Sequence, residues 1–330
     1  MTTQHPTFKS RAVRCALPLL MAGIALPAAA QNNNNLYVAN QSDNTVSVID
    51  MKTNAVTTTV AVGAGPSGVA VSPNGNRVYV TNASDNTVSV IDAATNLVAA
   101  TVSIGDSTIP EGIVVSPDGS RVYVVKFGTN DVSVIDAATN SVVNTFPVGN
   151  APFGVAISPN GARLYTSNQG DNTVSVTDAR KFTSVATVQV GNSPSALSAG
   201  PFGAVVYVAN QGDNNLSAIE TLNNKVIATE STGASPVAVD TSIVGYPVYA
   251  LNQNSNTVSV LDPISNKTLA TVSVGEFPSA MAVDRKSSRV YVSNQVSGTV
   301  SVINPLTNKV SATINLGAGA IPTAVAVQPQ

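Results

Sequence analysis

Nine residues, SDNTVSVID, occur at 42–50 and again, letter for letter, at 84–92. Near-copies follow as TNDVSVID (129–136), GDNTVSVTD (170–178), GDNNLSAIE (212–220), NSNTVSVLD (254–262) and VSGTVSVIN (296–304), which makes seven. A tyrosine precedes each copy. Tyr37, Tyr79, Tyr123, Tyr165, Tyr207, Tyr249 and Tyr291 are spaced by 42 residues, except for 44 between Tyr79 and Tyr123. A period of this length constrains the fold more than composition does, because each unit must bury its apolar surface against the next. Seven of the eight tyrosines belong to the repeat, so they need no local functional explanation.

One unit, residues 67–104, holds four runs rich in Val, Ile, Thr and Tyr: SGVAVS, RVYVT, TVSVI and LVAATVSI. Each has the length and composition of a strand. Turn chemistry separates them in SPNG (72–75), NASDN (82–86), DAATN (92–96) and GDSTIPEG (105–112). No helical period is sustained. Four antiparallel strands per unit and seven units predict an all-β, seven-bladed β-propeller. Both faces of each sheet are then covered, which suits the small and β-branched residues of Val46-Ser47-Val48-Ile49. The repeats start on LYVAN (36–40), a second strand, and end on TAVAV (323–327), a first strand. The C-terminal innermost strand is therefore expected to pair with the N-terminal strands and close the ring, removing its exposed edges.

Residues 1–30 are of another kind. Lys9, Arg11 and Arg14 precede the apolar run 15–27 and Ala28-Ala29-Ala30, the pattern of a secretory signal peptide cut before Gln31. Thirteen apolar residues with two prolines are too short for a membrane span. The expected organisation is a signal peptide at 1–30, a flexible lead-in at 31–35 and one propeller at 36–330. The protein is expected to be exported and periplasmic, secreted or cell-surface associated, not an integral membrane protein, and monomeric. Losing the leader removes the one His (His5), the one Cys (Cys15) and three basic residues, leaving 13 Lys and Arg against 18 Asp and Glu, a net charge of −5. That balance argues against nucleic acid or an anionic membrane as partner.

VYVTN (78–82), LYVAN (36–40), TVSVIDAATN (87–96) and PSGVAVSPNG (66–75) resemble the YVTN-type β-propeller repeats of bacterial and archaeal exported and surface-layer proteins. The resemblance spans about residues 36–330. It implies the fold. It implies no single activity, since propellers of this broad class include binding scaffolds, lyases and lactonases. The seven-bladed streptogramin-type lyases that the ring also resembles depend on histidine, which the chain beyond residue 30 lacks.

Without His or Cys there is no Ser–His–Asp triad, no thiol nucleophile and no His/Cys zinc or haem site, so no cofactor and no metal is expected. Carboxylate or lysine catalysis stays open. The recurring Asp50, Asp92, Asp136, Asp178 and Asp262 are read as hairpin pins accepting backbone N–H bonds, with a following Asn at positive φ. Arg77, Arg121, Arg163 and Arg289 are read as solvated or paired surface charges. Loops 40–44, 82–86, 168–172 and 210–214 offer oxygens to Ca²⁺, but one carboxylate each is sparse and Asx-turns explain them.

Departures from the repeat say more. The residue after the loop proline reads Ser67, Glu111, Phe153, Ser195, Val237, Ser279 and Thr323. The loop before Glu111 alone has two extra residues, bringing Asp106, and in the same unit Lys126-Phe127 replaces the Asn-Gln or Asn-Ala seen elsewhere. Asp106, Glu111, Lys126, Phe127 and Phe153 thus form a candidate ligand-binding sector at the channel mouth. The structural alternative is a Glu111–Lys126 ion pair over packed phenylalanines. The expected function is a non-catalytic binding or surface-associated module for a protein, glycan or small molecule. The alternative is a carboxylate-dependent lactonase, lyase or glycoside-active enzyme at the same mouth.

Overall fold

The computed structural model describes residues 1–2, 34–265 and 267–329. The expected signal peptide and its Gln31 junction, with His5 and Cys15, lie outside the described residues. Every regular element described is a β-strand. No described helix is long and apolar enough to cross a membrane.

The strands form seven four-stranded antiparallel sheets. Blade 1 runs from its innermost strand Pro66–Val71 through Arg77–Asn82 and Thr87–Asp92 to the outermost strand Leu97–Ser103. Blades 2 to 6 repeat this from Pro110, Pro152, Pro194, Pro236 and Pro278. Blade 7 joins the C-terminal strand Pro322–Val327 to Asn35–Asn40, Thr45–Asp50 and Ala55–Ala61. The register Leu36↔Val327 and Val38↔Val325 closes the ring as the two ends predict. Strand pairing begins one residue into the expected lead-in, at Asn35 opposite Asp50.

Middle strands are buried along almost their whole length, while outermost strands are largely exposed. Tyr37, Tyr79, Tyr123, Tyr165, Tyr249 and Tyr291 are all fully buried between blades. The repeated serine has a reason beyond size. Asn82 Nδ2 donates to Thr87 Oγ1 and to Ser89 Oγ, both at 3.0 Å, so the Asn ending one strand fastens the next. Asn40, Asn168, Asn252 and Asn294 do the same. Such buried amides and hydroxyls would be costly unpaired, which fixes the Asn and Ser together.

Each blade has a proline end, where its innermost strand starts, and an opposite end carrying its first and third hairpin turns. At the opposite end Asp92 Oδ1 accepts the N–H groups of Ala94 and Thr95 at 2.9 Å, and Asn96 takes φ 55°. These contacts hold the Asp92 carboxyl below its ordinary pKa, chiefly through Thr95 N–H. The arginines there are more than solvated charges. Arg77 donates to the carbonyl of Ala137, Arg121 to Ala179 at 3.2 Å, and Arg289 to Met51 at 3.1 Å, each holding a third turn of the next blade. Arg121 also sits 5.0 Å over the Phe182 ring. Arg163 instead pairs with Asp178 of its own blade at 3.1 Å. At the proline end, Asp85, Asp171 and Asp213 accept the N–H groups of Ala64, Asn150 and Asn192 and brace the blade-to-blade loops.

Candidate functional site

The seven innermost strands enclose a channel of about 990 Å³ along the ring axis. Its walls mix polar and apolar groups, with Val69, Ile113, Val155, Leu197, Val239, Met281 and Val325 at one level. At the proline end Ser67 Oγ donates to Pro110 O at 2.7 Å, Ser195 Oγ to Pro236 O at 3.1 Å, Ser279 Oγ to Pro322 O at 2.6 Å and Thr323 Oγ1 to Pro66 O at 2.8 Å. The common hydroxyl at this position is therefore a latch between blades. Glu111 and Phe153 have no such latch to make, and both line the channel.

Local backbone brings these two together. A Cβ on Gly112 would lie 2.5 Å from Phe153 O, and one on Gly68 would lie 2.5 Å from Glu111 O. The glycines let blades 1, 2 and 3 approach more closely than the alanines at the same position in blades 4 to 7 would permit. Glu111 and Phe153 thus start adjacent, tightly packed strands. Burial pushes the Glu111 carboxyl up to about 7. No counter-charge or hydrogen-bond donor among the described residues offsets it.

The other sector residues stand apart from the channel. Lys126 Nζ pairs with Asp131 Oδ1 at 2.9 Å, with both side chains largely buried, so the alternative ion pair with Glu111 is absent. Asp131 faces Lys126 across the hairpin, where five other blades place Thr, and blade 4 places Asn215, opposite Asn. One neutral hydrogen-bonded pair has been exchanged for one ionic pair. Phe127 is 37% exposed and its N–H donates to Ile109 O at 3.1 Å, so the lengthened loop lies along the Phe127 turn. Asp106 in that loop is exposed and does not line the channel. The structure gathers Glu111 with Phe153, and places Asp106, Lys126 and Phe127 on the rim.

Deeper in the channel lies a carboxylate that the sequence reading passed over. Asp240 occupies a position held by Ala70, Val114, Ala156, Ser198, Ala282 and Ala326 in the other blades. Ser198 Oγ donates to Asp240 Oδ1 at 3.2 Å, and Val283 N donates to Oδ2 at 3.0 Å. Burial pushes its pKa up, and the positive charge of Arg285 pulls the other way. Extending the comparison of departures from the strand entrance to this depth would have found it. Arg285 and Lys286 line the far mouth. Asp240 has bonded oxygens; Glu111 is the carboxyl left open to a ligand.

A family model described as "Lactonase, 7-bladed beta-propeller" matches residues 53–184 and 112–268, together about two thirds of the chain. The chain is similar to "Kuenenia stuttgartiensis Hydrazine Synthase", with 25% identity, a TM-score of 0.76, and coverage of 82% of this chain and 92% of that one. It is similar in fold to a solved structure of "a functionally unknown protein from Desulfotomaculum acetoxidans DSM 771", with 21% identity, a TM-score of 0.79, and coverage of 90% and 100%. Over 43 residues, about one repeat, it is 58% identical to "PE-PGRS family protein PE_PGRS18" of Mycobacterium tuberculosis (strain ATCC 25618 / H37Rv). That stretch is 13% of this chain and 9% of that protein.

Proposed function

From the premise that this chain belongs to the lactonase family of seven-bladed β-propellers, we propose that it is an exported binding module with YVTN-type repeats. Its channel takes an apolar small molecule that presents an ammonium or hydroxyl donor to Glu111. The observation that carries this reading is the Glu111 carboxyl, buried without a partner beside Phe153 at the mouth of the channel. A cationic ligand supplies the missing charge, its apolar part packs on the channel wall, and the Phe153 ring offers an aromatic face. Because such a ligand selects ionised Glu111, affinity should rise with pH through about 7 and a proton should leave on binding. Export rests on the basic stretch, apolar run and Ala28-Ala29-Ala30 of the N-terminus, and mass spectrometry of the exported protein should find Gln31 first.

A second reading is favoured by the same pKa and by the family. A carboxylate titrating near neutrality is suited to general-base attack of water on a lactone carbonyl. Against it, no charged or hydrogen-bonding group among the described residues acts on Glu111, so none stands ready there to stabilise an oxyanion. Isothermal titration of apolar amines into wild type and Glu111→Gln, run beside a lactone hydrolysis panel, separates the two. PH-dependent amine binding, lost in Glu111→Gln with no turnover, supports the binding module. Lactone turnover abolished by Glu111→Gln establishes the second reading.

A further inference from the structure

The opposite end of the ring is not sevenfold. At the tip of the third turn, blades 7, 1, 2 and 3 carry Lys52, Ala94, Ala138 and Arg180. Blades 4, 5 and 6 carry Leu222, Ile264 and Leu306, which are 83%, 87% and 92% exposed. Three residues after each of these tips comes Lys225, Lys267 or Lys309, where the other blades have Ala55, Leu97, Ser141 and Thr183. None of the three lysines forms a salt bridge among the described residues. The first turns of this arc add exposed Phe202 in blade 4, Ile243, Val244 and Tyr246 in blade 5, and Arg285 and Lys286 in blade 6. First and third turns lie side by side, since Thr221 Oγ1 donates to Gly203 O at 2.7 Å.

We infer that this arc of blades 4 to 6 docks on an anionic lipid surface, with Leu222, Ile264 and Leu306 inserted and Lys225, Lys267 and Lys309 at the level of the phosphates. Repeat symmetry sets the three tips at equal height on one end of a disc, so they meet a plane together. Each tip is one aliphatic side chain, preceded by Thr221, Pro263 or Pro305, followed by a polar residue and backed by a lysine. That arrangement fits the interface of a bilayer, where apolar tips reach the acyl boundary and lysines meet headgroups. A protein interface instead has a desolvated core depleted of lysine, whereas here a lysine backs every tip.

The net charge, read from the sequence as arguing against an anionic membrane, averages two unlike ends. Apart from Lys126, every Lys and Arg of residues 34–330 lies at the end that carries the arc. The proline end carries Asp43, Asp85, Asp106, Glu111, Asp131, Asp171, Asp213 and Glu276, while the arc end sets twelve Lys and Arg against Asp50, Asp92, Asp118, Asp136, Asp178, Glu220, Asp262 and Asp284, a modest basic excess. A disc charged in this way is oriented by an anionic surface, basic end down, whatever its total.

The chain contains no Trp, so a single indole reports on one tip. The experiment uses the full chain with Leu306→Trp, or with Lys52→Trp at the equivalent tip of blade 7, on vesicles of phosphatidylcholine with and without phosphatidylglycerol. With anionic vesicles the Leu306→Trp indole should shift to the blue and be quenched by brominated acyl chains, while the Lys52→Trp indole stays in water. Adding Leu222→Ser and Ile264→Ser should weaken partitioning by about tenfold or more, and high salt should weaken it further. Melting curves check that these exposed changes leave the fold intact. Equal quenching at both tips would mean that residues 1–33 bring the chain to lipid, and would overturn the proposal. So would an indole at 306 that stays accessible to an aqueous quencher. A blue shift without vesicles that grows with protein concentration would assign the arc to a second copy of the chain instead.

Discussion

A carboxyl with a pKa near 7 and no partner gives the folded chain a preference for protons over the unfolded one, whose glutamates titrate near 4.3. The stability that Glu111 contributes is present below the unfolded pKa and is lost as pH rises through about 7. Melting temperature should therefore fall between pH 4.5 and 8, and Glu111→Gln should flatten that fall, gaining at most about 3 kcal/mol at pH 8. Equal slopes in the two proteins would show that Glu111 is solvated. Glu230 makes the same argument in the core. It is 4% exposed, both carboxyl oxygens lack partners, and burial with Asp262 nearby pushes its pKa up. Other blades place Val60, Val102, Phe146, Val188, Val272 and Ile314 there. Glu230→Val should raise stability at pH 8 by about 1–3 kcal/mol and by less at pH 5, read from paired melting curves. Glu111 was legible in the sequence because it breaks the repeat at a strand entrance. The Lys126–Asp131 pair was half legible. Lys126 stood out, but its compensating change sits five residues on, and only strand register shows that the two face each other. Glu230 lies on an outermost strand whose alternation hides one buried position among exposed ones.

At the level of elements, turns and strand boundaries follow from local chemistry, so Pro66–Val71, Arg77–Asn82 and Thr87–Asp92 match the runs read from the residues to within one or two positions. The pinning of third turns by aspartate was legible for the same reason, because donor, acceptor and the positive-φ Asn lie within five residues. Contacts between elements of different blades were not. Arg121 reads as a surface charge until the ring sets it against the Ala179 carbonyl and the Phe182 ring of blade 3. Arg163 occupies the same repeat position but spends its charge within its own blade. The two should respond differently to truncation. Arg121→Ala should lower stability by about 1–2 kcal/mol through loss of a charged hydrogen bond and a cation–π contact. Arg163→Ala, which breaks a half-exposed pair, should cost about 0.5 kcal/mol or less. Urea denaturation of both variants checks the order. If Arg163→Ala proves the costlier change, the clamps between blades are not what these arginines contribute.

For the whole molecule, sevenfold repetition creates one problem that no single blade can solve, since a linear array of sheets leaves two unsatisfied ends. The chain meets it by beginning one strand into a blade and finishing that blade with Pro322–Val327. This last strand is held on both sides. It pairs with Asn35–Asn40 in its own sheet, and Thr323 Oγ1 and Gln328 Nε2 donate to Pro66 O and Gly75 O of blade 1 at 2.8 and 2.7 Å. Val325 packs with Leu36, Val38 and Tyr291 in a core shared by blades 6 and 7. Deleting residues 322–330 removes all of these contacts at once. It opens the channel wall beside Ser67 and leaves Asn35–Asn40 with an unpaired edge. Such an edge recruits strands from other chains, and the uncovered valines and leucine add an apolar surface. The truncated chain should lose its cooperative melt or associate, whereas the exposed-tip substitutions at Leu222, Ile264 and Leu306 should leave melting unchanged. Calorimetry and sedimentation on the truncated chain read both effects. A monomer with the melting temperature of the full ring would mean that the remaining six complete blades hold the disc together without a closing strand.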